Sequence, residues 1–419
     1  MLSAEDNQYL TQIGPGTPMG TFLRRYWIPA LVSDELPEPD CPPVRVKLMG
    51  ENLVAFRDSN NRIGLVDEQC PHRRASMFFG RNEECGLRCV YHGWKFDLDG
   101  QCVDMPSEPA ESNFKDSVTI KSYPCKESGG VIWAYMGPPE HMPELPSLPV
   151  RFVGEKHRIV ARHWWQCNYF QGIESAIDSS HISFLHRRTS VNPSPYEKVR
   201  NKFGNPKFEV VKTDYGLAIG AKRTTEDPDK VYWRITQHIM PWYQLIPPFS
   251  LETTPMSPTF TICFVPVDDE NLMSWLFLTD PLHEKDSPEF SHKDQLPEMI
   301  PGLHLNTANK NNDYLVDRKL QASRLAFSGI PNVQAEDMAM SEAQGAISDR
   351  AKERLGTSDA AIIVARQLFL QAAKAFHRGE QAPLGLDPEK AKVRAVSTIL
   401  NEGVDFTEGA EKLLAVKEY

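Results

Sequence analysis

Short runs of β-branched and aromatic residues, broken every few positions by turn-forming ones, fill the first third of the chain. VRVKLMG (44–50), NLVAFRD (52–58) and IGLVDEQC (63–70) predict three strands separated by Gly-Glu and Asn-Asn-Arg turns. KFDLDGQCV (95–103) predicts a strand, an Asp99-Gly100 turn and a second strand, and GGVIWAYMG (129–137) a further strand. That strand runs into GPPEHMPELPSLP (137–149), whose prolines exclude a central strand or a helix interior. A domain boundary is expected there, dividing the chain into 1–145 and 146–419. Beyond it the pattern is mixed. Residues 163–188 read as a strand leading into a helix, and 206–280 as alternating strands with hairpin-like pieces at 211–224 and 259–280. Residues 311–325 and 358–378 read as helical, the second with Ser358 as N-cap and Gly379 as its stop. The fold class is α+β: a β-rich N-terminal domain, then a domain of helices and antiparallel sheet.

Composition narrows the function classes. The chain has 419 residues, enough for two domains with full cores. Its 46 basic and 56 acidic residues give a net charge of −10 without a long block of one sign, which argues against nucleic acid and anionic membrane as partners. No apolar run reaches the length of a transmembrane helix. The opening MLSAEDNQYL lacks a basic and apolar leader, so a cytoplasmic protein is expected. GPGTPMG (14–20) lacks the spacing of a dinucleotide loop. Of the eight cysteines, Cys41, Cys102, Cys125, Cys167 and Cys263 read as small buried hydrophobes, whereas Cys70, Cys85 and Cys89 lie among histidines.

The distinctive text is Cys70-Pro71-His72, then sixteen residues, then Cys89-Val90-Tyr91-His92-Gly93-Trp94. Each half offers one thiolate and one imidazole. Two such loops can give two Cys to one iron and two His to the other, the Rieske [2Fe–2S] arrangement. A structural zinc site is the competing reading, but zinc pairs separate like ligands, and here each pair is mixed. Cys85 has no matching partner and reads as a non-ligand. Further on, Asp178, His181 and His186 could supply part of a 2-His-1-carboxylate iron site. At 100° per residue Asp178 and His181 share a helix face, but His186 falls 140° from His181, so a helix must end or distort between them. The competing reading makes one of the two histidines an ordinary core or surface residue.

The cysteine–histidine text, with GPGTPMG…RRYWIPA and MFFGRNEECGLRCVYHGWKFD, resembles the Rieske non-haem iron aromatic-ring-hydroxylating oxygenases. Within them it is similar to the branch of phthalate dioxygenase and dehydrodivanillate O-demethylase oxygenase subunits, over essentially the whole chain. The resemblance implies a Rieske domain followed by a helix-grip (START-like) catalytic domain. It implies Cys70, His72, Cys89 and His92 as cluster ligands, and His181, His186 and Asp337 as ligands of a mononuclear Fe(II), with Glu336 as runner-up to its neighbour. Glu174, Asp178, His181 and His186 match the family pattern position by position. Asp178 corresponds to the aspartate that bridges an iron-ligating histidine and a Rieske histidine of the next subunit, which implies a homotrimer or homohexamer. O2 is the implied cosubstrate, with NAD(P)H acting only through a separate reductase, with or without a ferredoxin.

For the substrate, an aromatic acid, the strands at about 200–265 supply the expected pocket. Trp233, Phe249, Phe260 and Phe264 are the candidate wall, and Lys207, Lys222, Arg223 and Arg234 the candidate carboxylate partners. Lys207 and Gln244 stand where guanidinium groups would suit a phthalate clamp. The reading therefore favours O-demethylation of a methoxylated aromatic acid over ring cis-dihydroxylation of a phthalate-type or benzoate-type acid. An iron–sulfur electron carrier without turnover is the alternative from a different class, opposed by some 270 residues beyond the cluster region and by the His181/His186 pair.

Overall fold

The proline-rich stretch marks a change of unit in the computed structural model, which describes residues 2–109, 111–190 and 192–416. Ile13–Pro143 form one unit, and the chain before and after it forms the other. Helix α1 (Ala4–Thr11), capped by Ser3 accepting from the Asp6 N–H, therefore belongs with the long C-terminal part. It is tied there by Tyr169 Oη donating to the Leu10 carbonyl (3.0 Å) and Asn168 Nδ2 to the Thr11 carbonyl (3.0 Å).

The smaller unit starts with α2 (Pro18–Leu23), where Thr17 caps the helix and Pro18 occupies its first turn. Its strands are β1 (Trp27–Val32), β2 (Val44–Leu48), β3 (Glu51–Arg57), β4 (Ile63–Asp67), β5 (Arg81–Glu83), β6 (Gly86–Arg88), β7 (Lys95–Phe96), β8 (Cys102–Asp104), β9 (Cys125–Ser128) and β10 (Val131–Tyr135). They form three antiparallel sheets, β1-β10-β9, β2-β3-β4 and β5-β6-β7-β8. The expected turn at Asp99-Gly100 is present, with Gly100 left-handed (φ 79°). Val54, Phe56, Met77, Leu87 and Phe96 pack with Cys70, Cys89 and Trp94 into one core. The cysteine loops are thus rooted in packed side chains.

The larger unit is built on an eight-stranded antiparallel sheet. Its strands are β11 (Arg158–Trp165), β12 (Lys207–Lys212), β13 (Gly216–Thr224), β14 (Lys230–Ile239), β15 (Tyr243–Ile246), β16 (Thr259–Pro266), β17 (Leu272–Thr279) and β18 (Val396–Asn401). The order is β11-β17-β16-β15-β14-β13-β12, with β18 also paired to β14. Both expected hairpins are there, β12–β13 and β16–β17. β16 and β17 are buried almost throughout, which explains their largely apolar text. One covering element is α3 (Tyr169–Ile177), N-capped by Asn168. A Cβ on Gly172 would come within 2.4 Å of the Phe264 ring, so only glycine allows this approach of helix to sheet.

Four further helices matter: α4 (Pro195–Lys202), α5 (Arg318–Ala322), α6 (Val333–Ala343) and α7 (Ala360–His377). α4 carries a full capping box between Ser194 and Glu197. α7 buries Ala361, Ala365, Phe369 and Ala373, a strict i, i+4 stripe, and stops at left-handed Gly379 as expected. Its N-cap is Asp359, one residue beyond the expected Ser358. The expected helix at 311–325 is not continuous. A 3-10 stretch (Lys310–Leu315) contains Asp313 and Tyr314 at positive φ, and only α5 is regular.

Candidate metal centres and substrate pocket

The two cysteine–histidine loops repeat one hydrogen-bond scheme. The Cys70 N–H donates to the Ala75 carbonyl and the Arg74 N–H to the Cys70 carbonyl, both at 2.9 Å. In the second loop the Cys89 N–H donates to the Trp94 carbonyl (2.8 Å) and the Gly93 N–H to the Cys89 carbonyl (2.9 Å). Both loops turn through a left-handed residue at the same step, Arg74 (φ 61°) and Gly93 (φ 80°). Arg74 adopts that conformation at a cost of about 1–2 kcal/mol, which the loop's own bonds must offset. The His72 and His92 rings lie 4.3 Å apart, and His72 stacks on Trp94 at 4.3 Å.

Cys70 and Cys89 are both buried, in the same packed core. Burial, reinforced by Cys89, pushes the Cys70 thiol up to about 11. Without a cation such thiols stay protonated, and metal binding must displace the protons. His72 Nδ1 is buried without a hydrogen-bond partner. Two buried thiols, two adjacent imidazoles and an orphan ring nitrogen fit a [2Fe–2S] cluster. Cys85 lies in the β5–β6 turn, its Sγ accepting from Asn60 Nδ2 (3.1 Å).

In the larger unit α3 ends at Ile177, and Asp178 is already extended. The chain then makes one 3-10 turn, His181–Ser183, before His186. The helix ends before either histidine, which removes the 140° conflict. His181 Nε2 and His186 Nε2 face each other at 3.0 Å. Asp337 Oδ1, from the second turn of α6, lies 3.1 Å from His186 Nε2 and 3.5 Å from His181 Nε2. That oxygen is buried and meets both imidazole nitrogens there. A metal about 2.1 Å from each ligand atom holds mutually perpendicular ligands about 3 Å apart. The triangle has that size, and among the described residues these three form a group able to hold a metal ion.

Each histidine also meets a carboxylate at its other nitrogen. His181 Nδ1 is 3.5 Å from Asp178 Oδ2, and His186 Nδ1 is 2.7 Å from Glu336 Oε2. Burial works against the Asp178 carboxylate, but His181 and the Ser180 and His181 backbone N–H groups hold its carboxyl below the usual range. Glu174, four residues before Asp178, is buried between Arg350 (2.7 Å) and Arg366 (2.6 Å), and Arg366 continues to Glu353. It ties α3 to α7 and to the loop at 350.

A cavity opens from the His181, His186 and Asp337 triangle toward the sheet, lined by Ile182, Ile246, Phe249, Phe260, Ile262 and Val333 among apolar groups, with Arg234, Gln295 and Gln334 among polar ones. Of the expected lining residues Phe249, Phe260 and Arg234 are present. Strand alternation removes Trp233, Lys222 and Lys207. On β14 Trp233 points away from Arg234, into a core with Phe406 and Ala410. Lys222 is paired across to Trp233, and Lys207 to Lys222, so both lysines share that far face. Lys222 ends on Glu402. Phe264 is spent on Gly172 and Trp165, and Gln244 on His238.

Arg223 is on the cavity face, diagonal to Arg234, with Nη2 donating to the Ser179 carbonyl (2.7 Å). Its Nε and Nη1 are buried without partners, as is the hydroxyl of Tyr196 on α4. Burial, with Arg234 and Arg200 nearby, pulls Arg223 down to about 10. Arg200, Arg223 and Arg234 surround Tyr196, all four buried, and no ion pair reaches them among the described residues. Sequence reading missed Arg200 and Tyr196; α4 presents both as ordinary members of a charged surface helix.

A Rieske [2Fe-2S] domain matches residues 26–124, and a domain described as LigXa C-terminal domain like matches residues 134–413, well over half of the chain. The chain belongs to the Rieske non-haem iron oxygenases. The 3-chlorobenzoate-3,4-dioxygenase oxygenase subunit of Comamonas testosteroni is 37% identical to this Rieske oxygenase, covering 92% of each chain. The phthalate 4,5-dioxygenase oxygenase subunit of Pseudomonas putida is 35% identical over 97% of this chain and 94% of the relative. The 5,5'-dehydrodivanillate O-demethylase oxygenase subunit of Sphingobium sp. (strain NBRC 103272 / SYK-6) is 34% identical over 99% and 91%. Among solved structures, Pseudomonas putida CBB5 NdmB aligns with a TM-score of 0.60 at 19% identity, covering 88% of this chain and 96% of that one, a likeness of fold. The cofactors of this oxygenase are a [2Fe–2S] cluster and a mononuclear iron. No helix of the described residues is long and apolar enough to cross a membrane.

Proposed function

We propose that this chain is the terminal oxygenase of a multicomponent system that oxidises an aromatic acid with O2 and electrons from a separate reductase. Cys70, His72, Cys89 and His92 are assigned to the cluster, and His181, His186 and Asp337 to the mononuclear iron. An iron held by these three residues would supply the activation of dioxygen. The protein's part is to hold the acid in place. The apolar wall of Phe249, Phe260 and Ile262 takes the ring, and Arg234 takes a carboxylate by charge-assisted hydrogen bonds. The observation that carries this reading is the buried group of Arg200, Arg223 and Arg234 with no ion pair among the described residues, at and behind the cavity wall facing the triangle. Buried guanidinium groups left without an anion are costly, and a substrate carboxylate relieves that cost.

Two finer reactions remain. The scarcity of guanidinium groups at Lys207 and Gln244 favoured O-demethylation of a methoxylated acid. Arg223 beside Arg234 removes that ground, because two guanidinium groups suit a dicarboxylate. Ring cis-dihydroxylation of a phthalate-type acid is therefore the reading we carry forward, in keeping with the dioxygenase names of two of the relatives. O-demethylation is the second, favoured by the 34% identical O-demethylase subunit. Product analysis under labelled O2, with phthalate and methoxybenzoates, decides. A diol carrying two labelled oxygens and every carbon supports dihydroxylation, whereas formaldehyde and a phenol from a methoxy acid support demethylation.

The electron path is assigned to Asp178, with a head-to-tail homotrimer bringing the Rieske histidines of a second copy to it. A cleft of about 1040 Å³ reaches Asp178 and His181 and is lined by Phe184, Phe327 and Met340, which are half exposed. An apolar surface of that kind beside the aspartate suits docking of another chain. Mass measurement of the native assembly tests it: three chains or a multiple is expected, and a monomer at working concentration overturns it.

A further inference from the structure

We propose that Glu336 is a positioning residue for the mononuclear iron, locking His186 with Nε2 free to face the metal; this rests on the reading that His186 is a ligand. Glu336 and Asp337 are adjacent on α6, so their side chains leave the helix about 100° apart. Asp337 joins the triangle of ligand atoms. Glu336 turns to the opposite nitrogen of His186, 2.7 Å from Nδ1, and is fully buried.

Its other oxygen is held too. Glu336 Oε1 accepts from the Ser328 hydroxyl and from Arg188 Nη2 (3.4 Å). Arg188 is itself fixed, with Nη2 donating to the Ile330 carbonyl (3.0 Å). A neutral imidazole has one N–H. A carboxylate accepting at Nδ1 keeps the hydrogen of a neutral His186 on that nitrogen, so that Nε2 is the atom that gives up its proton and turns its lone pair to a metal. The negative charge also makes the imidazole a better donor.

The partner histidine is held differently. Asp178 and His181 are 3.5 Å apart, with side chains 23% and 20% exposed, against 1% for Glu336. His186 is the fixed corner of the site and His181 the adjustable one, which suits an Asp178 that also has to engage a second chain.

The test is ferrous-iron affinity in Glu336→Ala, Glu336→Gln and His186→Ala enzymes stripped of mononuclear iron and re-titrated. Occupancy is followed by the electron paramagnetic resonance of the nitric oxide adduct, with the visible spectrum of the cluster as internal control. Glu336→Ala should bind iron roughly 10–100-fold more weakly. Glu336→Gln, whose Oε1 can still accept from Nδ1 and which keeps the side-chain volume, should fall between it and wild type. Both should show an altered adduct spectrum and an unchanged cluster. If the alanine protein does not fold, the glutamine protein decides alone. Wild-type affinity and adduct spectrum in the glutamine protein, with the alanine protein alike or unfolded, overturn the proposal. So does complete failure of the alanine protein to load at saturating iron, which would make Glu336 a ligand. Iron bound normally by His186→Ala would instead sink the ligand assignment beneath it.

Discussion

The two metal regions of this oxygenase are built on different plans. Cys70 with His72, and Cys89 with His92, sit on two loops that share one hydrogen-bond scheme, and each loop brings its pair within a few residues. The triangle proposed for iron takes two histidines from a broken segment after α3 and its carboxylate from α6, at Asp337. The first site is a property of its turns. The second exists only while α3, α6 and α7 stay packed, so damage to that packing should empty it first.

The largest test of that difference is Glu174→Ala. It leaves Arg350 and Arg366 buried without their shared carboxylate, which should cost roughly 3–5 kcal/mol. Thermal unfolding followed by metal analysis should show mononuclear iron lost well before the cluster spectrum bleaches. Simultaneous loss would mean that the two sites are not independently supported.

Asp178→Asn comes next. It should leave both centres loaded and reduce turnover by up to about 100-fold, since it removes a charge from His181 without removing a ligand. Loss of the iron itself would make Asp178 a ligand. Arg234→Ala should then raise KM for an aromatic acid by roughly 10–100-fold, the loss of a charge-assisted hydrogen bond, while a neutral analogue is little affected. An equal effect on both would remove Arg234 from carboxylate recognition.

The smallest effect, read over a single unit, is in pH. In the metal-free site burial disfavours a charged imidazole, yet Asp337 and Glu336 together push His186 up to about 10. A raised value means that this charge stabilises the metal-free fold fully below the unfolded value of about 6.5, and the contribution is lost as pH rises through 10. Iron must displace that proton, so its apparent affinity should climb as pH rises toward 10, by up to about tenfold per unit. Flat affinity from pH 7 to 8 would contradict a protonated resting site.

The same contrast governs what could be read from the chain. The cluster text was legible from spacing because its ligands are local. Asp337 was legible only through family resemblance, since no periodicity links position 337 to 181. The pocket was partly misread for a simple reason. Lys222 and Arg223, like Trp233 and Arg234, are neighbours on strands and cannot share a face, so half of that set had to point away. Arg200 and Tyr196 gave no signal, because their burial depends on where α4 lands. The failed helix at 311–325 has a local cause, left-handed Asp313 and Tyr314, that composition does not reveal.

The central claim is that the chain holds two separate iron centres, one of them on His181, His186 and Asp337. Iron analysis of wild type and Asp337→Ala, beside their cluster spectra, tests it most directly. Wild type should carry about three irons per chain, two in the cluster and one in the triangle. Asp337→Ala should keep two, with the cluster spectrum unchanged. A variant that keeps all three irons, or a wild type that never holds more than two, would contradict it.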